Sequence, residues 1–239
     1  MTTLTRTIDY LHANTRCVGF LAYDDVLPGP LPGVLIAHTW AGRDEFVENK
    51  ARRLAERGYA AFALDMYGEG KVGSGAEENA QLMGALMSDR RHLQHRINAA
   101  LDALRELPGV DPDRIAAIGF CFGGLCVLDL ARSGADLRGV VSFHGLFTPP
   151  EPPPLKPITT KVLVLHGNDD PMATPEQAVA LGRELTEQGA DWQIHLYGNT
   201  MHAFTNPRAN DPGFGTVYQP VADRRSWRAL MDFLGEVLE

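Results

Sequence analysis

A cysteine set among glycines is the first candidate for chemistry in this chain. Residues 119 to 124 read GFCFGG, which places Cys121 in a G-x-C-x-G pattern between an apolar run and an apolar helical segment. This is the nucleophile-elbow pattern with cysteine in place of serine. The flanking glycines allow a strand to turn sharply into a helix, whose N terminus favours a thiolate. The pattern predicts that Cys121 is a nucleophile; a buried structural cysteine is the alternative interpretation.

Two further groups follow later apolar runs in the order that such an elbow requires. Asp169 and Asp170 come shortly after the run Lys161–Leu165, and His202 follows the run Trp192–Tyr197. An imidazole facing the thiol can take its proton, and a carboxylate on the other ring nitrogen fixes the tautomer and stabilises the imidazolium. The spacing therefore predicts a cysteine, histidine and aspartate that meet at one edge of a sheet, with either aspartate available as the acid.

The elements that must position these residues alternate along the chain. From Gly33 onward, short apolar runs of strand length are separated by segments of helical periodicity, which predicts a doubly wound, mostly parallel sheet with helices on both faces. The alternating segments Leu4–Tyr10 and Arg16–Tyr23 predict an antiparallel N-terminal hairpin that turns at Ala13 and Asn14. Helices are expected at about 44–57, within 77–107, at 122–132, at 175–188 and from about 223 to 238.

Composition and charge argue against several classes of function. The chain has 239 residues, of which 44% are hydrophobic and 22% charged, as is typical of a globular α/β protein with a single domain. Its net charge of −8 and the absence of a basic run argue against nucleic acid and anionic membrane surfaces as partners. The sequence shows no signal peptide and no apolar span, so a cytoplasmic protein is expected. Three cysteines without a CxxC pair predict reduced thiols.

Taken together, these motifs resemble the dienelactone hydrolase family of α/β-hydrolases. The matching segments are GFCFGG at the elbow, HGNDDP at the acid, MHAF at the histidine and GYAAFALDMYG after the first helix. The resemblance extends over essentially the whole chain and implies one α/β-hydrolase domain, residues 1–239. It also implies Cys121 as nucleophile, His202 as base and Asp170 as acid, with Asp169 in a capping or solvated position. No metal and no organic cofactor are implied.

Two backbone N–H groups, those of Trp40 and Phe122, are the expected oxyanion hole, because one donor follows the nucleophile and the other follows the first parallel strand. The Trp40 indole either lines the acyl pocket or fills the sheet edge. His38 and His144 also end strands, where a histidine is most often part of the scaffold. Cys126, one turn after the elbow, is interpreted as a helix-packing residue.

The sequence departs from the family pattern where dienelactone itself would bind. Members that act on dienelactone carry a glutamate before the oxyanion tryptophan, where this chain has Thr39, and two arginines that bind the substrate carboxylate. Here Asn206 follows the histidine motif, and no arginine lies between residues 71 and 90. The resemblance therefore predicts hydrolysis of small uncharged esters or of another lactone. The expected pocket residues are Thr39, Met83, Met87 and Asn206.

The function expected from the sequence is thus a hydrolase that forms a thioester acyl-enzyme, acting on a small-molecule substrate as a monomer or weak homodimer. The alternative is a non-hydrolytic thiol redox sensor or small-molecule-binding protein on the same fold, for which Cys121 and Cys126 would be the reactive pair. Under that alternative Asp170 and His202 have no evident task. A serine hydrolase is disfavoured because no serine of the chain lies in a G-x-S-x-G context.

Overall fold

A computed structural model of the chain describes residues 3–24, 29–152 and 157–239, and an eight-stranded sheet dominates it. The strands are β1 (Thr3–His12), β2 (Thr15–Asp24), β3 (Leu31–Ala37), β4 (Ala60–Ala63), β5 (Val110–Phe120), β6 (Gly139–Phe143), β7 (Lys161–Gly167), β8 (Trp192–Tyr197), β9 (Asn210–Asp211) and β10 (Thr216–Val217). The helices are α1 (Glu45–Ala55), α2 (Ala76–Met87), α3 (Arg90–Arg105), α4 (Phe122–Arg132), α5 (Pro175–Glu187) and α6 (Pro220–Leu238).

The main sheet has the strand order β1-β2-β4-β3-β5-β6-β7-β8, and β9 and β10 form a separate small hairpin. β1 pairs with β2, and β2 with β4, in antiparallel orientation, whereas every pair from β4 to β8 is parallel. The predicted α/β-hydrolase fold, a mostly parallel sheet with an N-terminal antiparallel hairpin, is confirmed. The hairpin turns where expected, because His12 pairs with Thr15 across Ala13 and Asn14.

Buried side chains form one apolar layer on each face of the sheet. Residues of α1 and α6 pack on one face, and residues of α2, α3, α4 and α5 pack on the other. Successive residues of β3 belong to the two layers in turn: Leu35 lies in the layer with α2, α3, α4 and α5, while Val34 and Ile36 lie in the layer with α1 and α6. A strand that is apolar on both faces is what this arrangement requires. Among the residues that the structure describes, none of the helices combines the length and the apolar character that a membrane span needs.

Three local features differ from the sequence-based expectation. The periodicity over 77–107 belongs to two helices, because Asp89 begins a new helix by accepting a hydrogen bond from the His92 N–H. Helix α6 begins at Pro220, about one turn before the predicted start, since proline is suited to the first helical turn and the Gln219 side chain caps it. The β9–β10 hairpin was not predicted, because each strand has only two residues and no apolar alternation.

Candidate active site

Cys121 lies at the sharp turn between β5 and α4, at the carboxyl end of a central strand. Its backbone has φ 56° and ψ −117°, a conformation that residues with a Cβ rarely adopt. A Cβ on Gly119 would overlap the carbonyl oxygen of Gly123, and a Cβ on Gly123 would overlap that of Ala37. The two glycines are therefore a steric requirement of the turn. The turn presents the partly exposed cysteine at the N terminus of α4.

The loop after β8 brings His202 to the carboxylate that follows β7. Its Nδ1 lies 2.7 Å from Oδ2 of Asp170, and both side chains are buried. The other carboxylate oxygen, Oδ1, accepts a hydrogen bond from the Met172 N–H at 2.8 Å, which fixes the orientation of the carboxyl group. Nδ1 therefore carries the proton, and Nε2 makes no hydrogen bond to any nitrogen or oxygen among the described residues. Asp169, the other candidate, is exposed and accepts a hydrogen bond from Asn168 at 3.1 Å.

Cys121 and His202 shift each other's pKa in opposite directions. Burial by itself raises the pKa of the Cys121 thiol, yet that pKa is lowered, because His202 and the N–H groups of Phe122 and Trp40 stabilise the thiolate. Burial by itself lowers the pKa of His202, yet that pKa is raised, because the negative sulfur and the hydrogen bond to Asp170 stabilise the imidazolium. Each group therefore shifts the pKa of the other so as to favour its charged form, and the two titrate as a coupled pair.

The two expected oxyanion donors both lie beside the sulfur, since both N–H groups contribute to the lowered pKa of Cys121. The loop that carries Trp40 is fixed from one side by the Tyr67 hydroxyl, which donates to the Trp40 carbonyl at 2.8 Å. His38, just before this loop, accepts a hydrogen bond from the Met66 N–H at 3.1 Å through Nε2 and is fully buried, so it belongs to the scaffold.

Cys121 and His202 open into a cavity of about 460 Å³. Thr39, Met83 and Asn206 line it, as predicted from the sequence, whereas Met87 lies one turn further along α2 and lines a different cavity. The remaining lining residues are mostly apolar: Trp40, Phe46, Ala76, Leu146, Met172, Ala203, Ala209 and Phe214. The Trp40 indole is thus a pocket wall, stacked on Phe214 with ring centroids 5.8 Å apart.

Charge is nearly absent from the walls of this cavity. No lysine or arginine of the described residues lines it, and the carboxylate of Asp211 is its one acidic side chain. A carboxylate on a substrate would therefore meet no lysine or arginine there, which matches the departure from the dienelactone pattern noted in the sequence. The described part of the chain contains no group of three His, Cys, Asp or Glu side chains that could hold a metal ion.

His144 is a site residue that the sequence interpretation assigned to the scaffold. It directly follows β6, lines the cavity and has a positive φ of 36°. Its ring packs edge-on against His202 with centroids 5.1 Å apart, and its Nε2 is 2.8 Å from the Thr205 hydroxyl. Burial first, and then the neighbouring His202, lower the pKa of His144, which keeps this ring neutral beside the imidazolium.

Cys126 lies one turn beyond the nucleophile and is fully buried in the apolar layer, as predicted for a helix-packing residue. Burial raises the pKa of its thiol well above the usual value, which is the opposite of the shift at Cys121. The two cysteines one turn apart are therefore chemically different: the pKa of the Cys121 thiol is lowered, and the pKa of the Cys126 thiol is raised.

This chain is similar in sequence and in structure to several known proteins. Residues 19–238 match the model described as the dienelactone hydrolase family. A solved structure named "m3DLH" is 40% identical with a TM-score of 0.95, and the match covers 99% of each chain. A second, described as a dienelactone hydrolase-like promiscuous phosphotriesterase P91 from metagenomic libraries, is 39% identical with a TM-score of 0.94, again over 99% of each chain. A Bradyrhizobium protein named "Probable 2-oxo-3-(5-oxofuran-2-ylidene)propanoate lactonase" is 26% identical over 246 residues, which is 98% of this chain and 96% of that protein.

Proposed function

The chain belongs to the dienelactone hydrolase family of α/β-hydrolases, and from that premise we propose that it hydrolyses small uncharged esters or lactones through a thioester on Cys121. Cys121 serves as nucleophile, His202 as general acid and base, and Asp170 as the group that holds the His202 tautomer. The N–H groups of Trp40 and Phe122 bind the oxyanion. Because it belongs to this family, the chain is a carboxylic ester hydrolase. The residue roles and the thioester intermediate are our proposal.

In the first step the Cys121 thiolate attacks the carbonyl carbon, and the carbonyl oxygen becomes an oxyanion between the N–H groups of Trp40 and Phe122. The C–O bond to the leaving group then breaks. The His202 imidazolium gives its Nε2 proton to the departing alkoxide, so the alcohol leaves neutral and the acyl group stays on sulfur. Asp170 holds the proton on Nδ1 throughout and stabilises the ring when it is positively charged.

In the second step His202, now neutral, takes a proton from water at Nε2 while the water oxygen attacks the thioester carbonyl carbon. The same two N–H groups bind the second oxyanion. The C–S bond breaks, the carboxylic acid leaves, and the thiolate–imidazolium pair of Cys121 and His202 is restored. For a lactone the leaving oxygen stays attached to the acyl group, so a single hydroxy acid is released.

The observation that carries this proposal is that Cys121 and His202 line one cavity while His202 Nδ1 is bonded to the buried Asp170, and the opposite pKa shifts of Cys121 and His202 agree with it. A cysteine that only fills space has its pKa raised by burial, as Cys126 has. A redox sensor would need no buried aspartate on the far side of the histidine, whereas a hydrolase needs it to fix the tautomer. The Asp170–His202 hydrogen bond at 2.7 Å therefore favours hydrolysis over the sensor alternative.

Replacing Cys121 by alanine tests this assignment, with Cys126→Ala as the matched control one turn along the same helix. We expect Cys121→Ala to lower kcat on an activated aryl ester at least about 1,000-fold, as loss of a nucleophile does in other triads. Cys126→Ala should keep kcat within a few-fold under reducing conditions. A Cys121→Ala enzyme that retains most of its rate would overturn the proposal, and a wild type without ester turnover would favour the sensor.

A second substrate class, neutral phosphotriesters, is favoured by a cavity whose described lining has no lysine or arginine, and by the 39% identical structure, which is described as a promiscuous phosphotriesterase. Attack of the Cys121 thiolate on phosphorus would expel an aryloxide and leave a phosphorylated sulfur, with the charge on the phosphoryl oxygen bound by the same N–H groups. A stoichiometric burst of aryloxide from an aryl dialkyl phosphate is expected in wild type and not in Cys121→Ala. A burst of equal size in Cys121→Ala would exclude this class.

A further inference from the structure

The β9–β10 hairpin forms one wall of the active-site cavity and is joined to the loop of the catalytic histidine. Asp211 of β9 is directly opposite Thr216 of β10, and Thr216 in turn bridges to His202. Two backbone hydrogen bonds strengthen this connection. The His202 N–H donates to the Gly215 carbonyl at 2.9 Å, and the Val217 N–H donates to the His202 carbonyl at 3.1 Å. The hairpin therefore has a defined position relative to the catalytic imidazole.

Asp211, Thr216 and His202 form a row across these paired segments, and all three line the cavity. Directly opposed residues of paired strands point to the same face, which explains why the three side chains share one wall. Neighbouring paired strands lie about 4.8 Å apart, so the backbone of Asp211 is roughly 10 Å from that of His202. A carboxylate and the catalytic imidazole therefore lie on the same wall, two strand spacings apart.

The carboxylate of Asp211 is held in one orientation but has no counter-charge. Its Oδ1 accepts a hydrogen bond from the Phe214 N–H at 2.9 Å, within the turn of the hairpin. In the part of the chain that the structure describes, its Oδ2 makes no hydrogen bond and neither oxygen takes part in an ion pair. Arg208, the nearest arginine along the chain, is paired with Glu45 at 2.6 Å instead. One carboxylate oxygen is therefore available to a ligand.

The other groups that line the cavity do not offset the charge of Asp211. None of the described lining residues is a lysine or an arginine. Burial lowers the pKa of His144, so its ring is neutral. Cys121 and His202 share one mobile proton, and together they carry no net charge whether that proton is on sulfur or on nitrogen. The lining of the cavity is therefore negative overall, and its remaining walls are mostly apolar.

We propose that Asp211 selects esters whose alcohol portion carries an ammonium cation, a substrate class that rests on the hydrolysis proposed above. His202 gives its Nε2 proton to the leaving oxygen, so the alcohol portion begins beside His202 and extends along the same wall toward Asp211. A cation several atoms beyond the ester oxygen then forms an ion pair with Oδ2. Because the neighbouring walls are mostly apolar, this attraction is screened less than on an open surface. The net charge of −8 also attracts a cationic substrate during its approach.

Two phenyl acetates of matched shape test this specificity. One carries a trimethylammoniomethyl group in the para position, and the other carries the neutral neopentyl group of the same shape. The measured quantity is the ratio of kcat/KM for the cationic ester to kcat/KM for the neutral ester. Comparing this ratio between enzymes cancels the effect of the substituent on the leaving group. Asp211→Asn keeps the oxygen that accepts the Phe214 N–H and removes the charge. We expect the ratio to fall about fivefold in this variant, as for an ion pair that stays partly in water.

The matched control is Asp232→Asn, which makes the same change in net charge at an exposed position of α6 that does not line the cavity. It should keep the wild-type ratio. A binding measurement without turnover of the cation complements the kinetics. Benzyltrimethylammonium should inhibit hydrolysis of the neutral ester competitively, with an inhibition constant about fivefold higher in Asp211→Asn than in wild type or Asp232→Asn.

The outcomes separate this specificity from the proposed hydrolysis. An unchanged ratio and an unchanged inhibition constant in Asp211→Asn would overturn the role of Asp211 and leave the hydrolysis by Cys121 standing. An equal fall in Asp232→Asn would also overturn it, because the effect would then come from the net charge of the chain. The proposed hydrolysis fails on a different result, which is turnover of both esters that persists in Cys121→Ala.

Discussion

At the scale of single residues, the coupled protonation of Cys121 and His202 predicts how the thiol reacts with pH. Only the thiolate is alkylated, so the alkylation rate falls as pH drops below the thiol pKa. We expect the wild-type alkylation rate to reach half its maximum at a pH below the free-thiol pKa of about 8.5. In His202→Asn the imidazolium is absent, so the pH of half-maximal alkylation should be higher than in wild type. Mass spectrometry of iodoacetamide-treated protein measures both profiles. A wild-type pH of half-maximal alkylation at or above the pKa of a free thiol would contradict the coupling.

His144 offers a second residue-scale prediction, because it anchors the loop of the catalytic histidine. His144→Phe keeps a neutral ring against His202 but loses the hydrogen bond between Nε2 and the Thr205 hydroxyl. We expect kcat/KM to fall about tenfold because the His202 loop is held less accurately, and the melting temperature to fall because the buried Thr205 hydroxyl loses this partner. Steady-state kinetics with a neutral aryl ester provide the measurement. Unchanged kcat/KM in His144→Phe would show that the ring acts by packing alone.

The sequence could predict the reacting residues because each stands in an ordered pattern. Cys121, Asp170 and His202 follow successive apolar runs, and the sheet brings these run ends together. His144 also ends such a run, but whether its ring turns into the cavity depends on a backbone angle, φ 36°, that no local pattern encodes. Phe214 was missed for a similar reason, since its exposed turn has no periodicity.

At the scale of elements, a buried lysine joins α1 to the catalytic loop and to α6. Lys50 is 5% exposed; its Nζ donates to the Thr205 carbonyl at 3.4 Å and lies 3.7 Å from a carboxylate oxygen of Asp223. Burial lowers the pKa of Lys50 to about 8, against the attraction of Asp223 and with a smaller repulsion from Arg53. Because it is charged, Lys50 would ordinarily be expected on an exposed face of its helix. No local sequence pattern indicated that it is buried.

The lowered pKa predicts a pH-dependent contribution to stability. Between about pH 8 and 10 the unfolded chain keeps the Lys50 proton and the folded chain releases it, so this group makes the free energy of unfolding rise with pH. Relative to Lys50→Met, wild type should gain on the order of 1 kcal/mol per pH unit in that window. Urea unfolding of both proteins across this range is the measurement. A difference that does not change with pH would contradict the shift.

The sequence predicted best the helices and strands whose apolar pattern follows from burial in the layers on the two faces of the sheet. β8 and α4 have the bounds predicted from the sequence, and β7 begins as predicted but ends two residues later, because their apolar runs are continuous. The β9–β10 hairpin escaped prediction because tertiary contact forms it: Thr216 of β10 bridges to His202. An element made by such long-range pairing leaves no periodic pattern in its own few residues.

At the scale of the whole molecule, the net charge of −8 and the absence of lysine and arginine from the described lining of the cavity both disfavour anionic substrates. An anionic ester is repelled during approach and finds no lysine or arginine to bind its carboxylate, whereas a neutral ester experiences neither effect. We expect kcat/KM for a carboxylate-bearing aryl ester to be lower than for its methyl ester and to rise with added salt, which screens the repulsion. The methyl ester should show little salt dependence. Equal values for both substrates at low salt would contradict this account.

The most direct measurement is the mass of the intermediate during a single turnover of an activated aryl ester. The proposed mechanism predicts a transient protein mass increase equal to the acyl group, located by peptide mapping on the segment that carries Cys121 and decaying at the rate of product-acid release. Cys121→Ala should show no such adduct. Turnover in wild type without any acyl adduct on Cys121, or with the adduct on another residue, would contradict the central claim.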